Sequence, residues 1–77
     1  MALPANVAAQ MVVLNSAVNK ILADRETLDG LFDDRLGGSV WSLLTTQNQS
    51  AVKTAIINDM TAARDSINGV ITALNSF

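Results

Sequence analysis

Four aspartates and a glutamate fall within the twelve residues DRETLDGLFDDR, Asp24–Arg35, the densest group of side chains with any capacity for chemistry. A calcium loop needs oxygen ligands at alternate positions and a closing glutamate. Here Leu28 stands where a ligand belongs, and no glutamate closes the loop at the right distance. Asp33-Asp34 alone is a weak magnesium signal. General acid–base work by paired carboxylates requires a pocket that moves their pKa values apart, and the helical pattern described below supplies none. The chain has no histidine and no cysteine, so the commonest general base, the usual zinc ligand and every thiolate are missing. Serine and threonine are plentiful without a base beside them, lysine excepted. Gly37-Gly38 lacks the strand and the lysine of a phosphate loop. The expectation is a protein that is not an enzyme and has no catalytic residues, no metal site, no cofactor and no small-molecule substrate.

The elements around this stretch are helical. Val7, Met11, Leu14, Val18, Ile21, Arg25 and Leu28 step by 4, 3, 4, 3, 4, 3, the heptad seam that keeps one stripe of a helix against a partner helix. Val52, Ile56, Met60, Ala63, Ile67, Val70 and Leu74 repeat the logic. Pro4 suits a first turn, Asp29-Gly30 suits a stop with a left-handed glycine cap, and Thr46-x-x-Gln49 reads as a capping box. The fold class is therefore all-α. One domain, 1–77, forms an antiparallel helical hairpin with long helices over about 5–29 and 47–75 and a short helical connector. Each helix is roughly 35–40 Å long. Arg25 at a seam position either sets register by pairing with an acid or snorkels at the hairpin's end.

A two-helix hairpin buries little area per residue, so a second contact surface is expected. Ala55, Ala62, Ser66, Gly69 and Ala73 line up on the second helix, and mid-helix glycine costs about 1 kcal/mol relative to alanine unless close packing uses it. These five are the candidate oligomer interface, and the hairpin is expected to assemble as an oligomeric bundle. The plainer reading is that alanine is simply the best helix former. Strong self-association is also compatible with opening of the hairpin into one long rod about Gly37-Gly38.

Between the helices lies LFDDRLGGSVWSLLTT. Gly37-Gly38 is a bend, Ser39 caps a short segment Val40–Leu44, and Val40, Leu43 and Leu44 are expected to point inward. Seven of the twelve charged residues lie in Asp24–Arg35, five acids and two bases, so the corner is acidic on a nearly neutral rod. Phe32, Asp33, Asp34, Trp41 and Leu44 form the candidate protein-interaction site, since aromatic anchors rimmed by charge are common at protein contacts. Trp41 is read equally as the lid of a small core.

Composition narrows the partners. Net charge is −2, with five scattered basic residues, which is no footprint for nucleic acid. The longest aliphatic run, Met11–Leu14, is far short of a membrane span of about 20 residues. The polar faces lack the lysine and arginine of a membrane-surface helix. MALPANVAAQ lacks the basic region of a signal peptide. Only 16% of residues are charged, against about 25% in a typical domain, which suits a surface covered by neighbours.

Heptad helices rich in Asn, Ser and Thr, with segments such as WSLLTTQNQSAVKTAI and AARDSINGVI, resemble small helical proteins encoded in the structural regions of tailed bacteriophages. That resemblance implies a virion component or assembly factor, present as many copies docked on one another or on a larger protein assembly, and located in the virion or the host cytoplasm. The competing expectation is a small regulatory binder, such as a phage-encoded inhibitor of a host defence protein, whose acidic segment 24–35 occupies a basic groove.

Overall fold

A computed structural model describes residues 3–35 and 37–76. The helices are α1 (Ala5–Leu31), α2 (Val40–Leu43) and α3 (Thr46–Asn75), and α1 and α3 pack against each other as the expected hairpin. Pro4 stands at the N-cap of α1, and its carbonyl accepts the first helical bond from Ala8 N–H at 3.0 Å. At the far end α1 runs two residues beyond Asp29, through Gly30 to Leu31, with Phe32 as its C-cap. Gly30 therefore does not stop the helix. Among the described residues only Gly37 adopts positive φ, at 100°, and it makes the bend between α1 and α2. Leu36 lies outside the described residues.

The start of α3 also differs by one residue from the expected box. Thr45, not Thr46, is the N-cap, and its Oγ1 accepts from Asn48 N–H at 3.1 Å. Two adjacent threonines offer equivalent caps, and the one with extended backbone takes the role. Gln49 is thereby freed, and its Nε2 donates to the Trp41 carbonyl at 2.9 Å, tying α2 to α3. Ser39 caps α2 as expected, accepting from Ser42 N–H. Of the three side chains expected inward, only Leu44 is half-buried; Val40 is 49% and Leu43 83% exposed.

The seam itself is half as expected. Val7, Leu14, Ile21 and Leu28 of α1, and Val52, Ile56, Ala63 and Val70 of α3, are buried or half-buried. The layers between them are one residue out of phase. Met11, Val18 and Arg25 are exposed, and Gln10, Ala17, Asp24 and Leu31 stand in the seam instead. On α3, Met60, Ile67 and Leu74 are exposed, while Asp59, Ser66 and Ala73 face inward. The sequence offers apolar residues at three of seven positions per helix, wider than a two-helix seam can cover. The pair packs along the side where side chains are smallest, because small side chains let two helices approach closely.

That choice reassigns the small-residue stripe. Ser66 and Ala73 are buried and Gly69 is half-buried against α1 of the same chain, so these three belong to the hairpin; Ala55 and Ala62 remain exposed. Gly69 does mark a close approach, but its neighbour is internal. A Cβ there would stand 2.5 Å from Gln10 Oε1. The Gln10 amide ends a flexible side chain and can swing away. Gly69→Ala is therefore expected to raise the unfolding free energy by about 0.5–1 kcal/mol, read as a higher urea midpoint at unchanged slope.

Candidate protein-interaction surfaces

The capped end of the hairpin is built around two aromatic rings. Phe32 at the end of α1 and Trp41 in α2 stack with centroids 5.0 Å apart and planes 26° from parallel. Lys53 from α3 places its ammonium 5.8 Å from the Trp41 ring centre, within cation–π reach. Three segments thus meet on one indole. Trp41 is half-buried while Phe32 is 53% exposed, so the tryptophan is both the lid of the connector and part of its outer surface. Beside the cap, Leu28, Val52, Lys53, Ile56 and Ile57 line a shallow groove of about 210 Å³. Lys53 is a contributor that sequence reasoning missed; its distance from Trp41 along the chain hides it.

The acids of the corner are less available than their number implies. The Arg35 backbone N–H and guanidinium both donate to the Asp33 carboxylate, at 3.1 and 3.0 Å. These bonds hold Asp33 below the usual carboxylate range, the side-chain bond to Arg35 contributing most. Arg25 lies 3.8 Å from Asp29 one turn along. Asp24 turns into the seam. Asp34 is exposed and Leu44 half-buried. Of the five candidate residues, the structure joins Phe32 with Trp41 directly and engages Asp33 with Arg35. Leu44 N–H donates to the Trp41 carbonyl at 3.1 Å and the Asp34 carbonyl accepts from Gly37 N–H at 3.0 Å, so these two join the corner through the backbone.

The structure also brings together two carboxyls that the sequence keeps 35 residues apart, Asp24 and Asp59. Asp24 Oδ2 is buried without a hydrogen-bond donor. The facing Asp59 carboxyl raises its affinity for a proton, chiefly through the hydrogen bond that the protonated form can make to it, and desolvation and the Asp59 charge add to the effect. A shared proton turns two acceptors into a donor and an acceptor. Neither carboxyl lines either groove of the hairpin. Among the described residues no three His, Cys, Asp or Glu side chains converge on one point. The signal for this pair was present in the spacing, since both residues fall in the seam once its phase is shifted by one.

The second surface is a flank of the rod. In an antiparallel pair, the positions that follow the seam on each helix come to the same side. Here they are Met11, Val18 and Leu22 on α1 and Ile57, Met60, Ile67, Ile71 and Leu74 on α3, each between 41% and 61% exposed. The opposite flank carries Asn6, Ala55, Ala62, Gly69 and Ser76, with Asn6 Nδ2 donating to Ser76 Oγ at 3.1 Å. No helix among the described residues is long and apolar enough to cross a membrane. Compared with protein families, curated proteins and solved structures, the chain matches none.

Two measurements check these sites. Phe32→Ala is expected to red-shift Trp41 emission and to cost about 0.5–1.5 kcal/mol beyond lost area, the value of an aromatic pair. For the carboxyl pair, the raised Asp24 pKa means that the folded chain holds a proton where the unfolded chain has released it. Its contribution to stability is full below the ordinary carboxylate value and is lost as pH rises through the raised value. Asp33 has the opposite sign, contributing above the ordinary value and losing that contribution as pH falls through its lowered one. Thermal midpoints should therefore fall as pH is raised from the ordinary carboxylate value towards neutrality. Asp24→Asn should flatten that fall and melt higher than the parent at neutral pH.

Proposed function

We propose that this chain is a non-enzymatic structural and interaction protein, a phage virion component or assembly factor. It acts through helix–helix self-association and docks on a larger assembly through the cap at 31–44. The observation that carries the reading is where the apolar side chains lie. Fourteen large ones are exposed among the described residues, and no large side chain is fully buried. A hairpin that keeps so much apolar surface outside its seam is suited to being covered. The phage assignment is supported by the resemblance of the sequence to small helical proteins of phage structural regions. The regulatory alternative loses weight because the acids it needs are partly engaged, Asp29 by Arg25, Asp33 by Arg35, and Asp24 by Asp59 of α3.

Light scattering across a dilution series, with tryptophan emission on the same samples, tests the reading. A defined oligomer that retains the emission of a half-exposed indole is expected, leaving the cap free for its larger partner. A folded monomer at every concentration would remove self-association from the function. For the cap, Leu43→Asp is the informative change, because that side chain is 83% exposed and contributes little to folding. It should leave the solution mass unchanged and abolish incorporation into virions, read by mass spectrometry of purified particles. Full incorporation of the variant would remove the cap from the docking surface.

A further inference from the structure

The hairpin is one helix thick. Its extents are 56 × 23 × 13 Å, the last close to the diameter of a single helix with its side chains, about 10–12 Å. Its radius of gyration is 17.2 Å, against about 11.5 Å for a compact domain of this length. The cost of this shape is measurable as surface. The chain exposes 5772 Å², whereas a compact monomer of 8.1 kDa exposes about 4,500 Å².

From these facts we infer that the flank bearing Met11, Val18, Leu22, Met60, Ile67 and Ile71 is the contact face for a second copy of this chain. Two hairpins pack on it about a two-fold axis to form a four-helix bundle. This rests on the reading above that the chain self-associates, and it specifies which face does so. The excess of about 1,300 Å² per chain exceeds the roughly 800 Å² that each partner buries in a standard interface, and it falls in the range of obligate dimers. One neighbouring layer therefore suffices to hide it.

Three further observations favour a twin as the occupant. Each helix is apolar over the seam plus one adjoining row, the width of a bundle helix with two neighbours, and a second hairpin supplies the missing neighbour to α1 and α3 alike. The two apolar rows run side by side over the same length of the rod, since α1 and α3 are antiparallel. A two-fold operation thus lays apolar surface on apolar surface without a separately shaped partner. Finally, the charges on this flank, Arg25, Asp29, Lys53 and Arg64, are spread along the rod, with Arg25 3.8 Å from Asp29 and Arg64 3.6 Å from Asp65 of the neighbouring row. No block of like charge repels a copy or selects an oppositely charged protein.

The test compares the two flanks of the full chain. Solution mass should be twice 8.1 kDa for the parent and for Ala62→Glu on the opposite flank, and should fall to the monomer value for Ile67→Glu, with helicity followed by circular dichroism. Because Ile67→Glu is liable to unfold, a second pair reads the interface without disrupting it. The parent has no cysteine, so Met60→Cys and Ala62→Cys each carry a single thiol. Reaction of Met60→Cys with a thiol reagent should slow as protein concentration rises, while that of Ala62→Cys stays constant. An oligomer that survives in folded Ile67→Glu, or one that shields Ala62→Cys and leaves Met60→Cys reactive, overturns this face and leaves self-association standing. A folded parent that is monomeric at every concentration overturns both.

Discussion

Everything in this hairpin depends on a seam built from small side chains. Val7, Ala17, Ala63, Val70 and Ala73 are its buried apolar members, with Ser66 among them. Helices that meet over alanine and serine approach closely, but they remove little apolar area from water, and that area is the main source of stability. The narrow seam therefore sets two consequences at once. It leaves the isolated hairpin marginal, and it pushes Met11, Val18, Met60, Ile67 and Leu74 onto the flank. The stacked cap and the threonine and serine caps tidy the end of the rod without changing this balance.

Polar groups in the seam complete the picture. Gln10, Asp24, Asp59 and Ser66 occupy inward positions, where a polar residue costs stability and fixes alignment. The Asp24–Asp59 pair has the clearest consequence, because sliding α1 past α3 by a heptad would set a carboxyl against aliphatic layers with no partner to share a proton. Gln10 lies over Gly69 in the same manner, filling the space that the missing side chain leaves. Register is specified by local fits of this kind more than by apolar bulk.

The sequence makes the helices and their antiparallel pairing legible because alternate seam layers, such as Val7, Leu14, Ile21 and Leu28, are apolar on any phase. The intervening layers are ambiguous: Met11 and Gln10, or Val18 and Ala17, are adjacent, and hydrophobicity selects the wrong member of each pair. Closeness of approach decides between them, and that property belongs to two helices together. The same limit explains the caps. Thr45 and Thr46 are equivalent until the backbone of one becomes extended, and Gly30 is a plausible stop until Leu31, one residue further on, finds its place in the seam. At the interaction surfaces, aromatic residues close in sequence made the Phe32–Trp41 neighbourhood readable. Lys53 and Asp59 come from the returning helix and become visible only once the register is known.

The hydrogen bond between Asn6 and Ser76 places both ends of the described chain at one tip of the rod, with the aromatic cap at the other. Mechanical load would be carried very differently along the two routes this creates. Tension applied between the ends opens the seam like a zipper, breaking one thin layer at a time, so the resisting force stays low. Load passed from the tip to the cap runs along the axes of both helices in parallel and is borne by their own backbone hydrogen bonds, leaving the seam unloaded. A rod of this kind transmits push or pull lengthwise while it can still be peeled apart from its free tip.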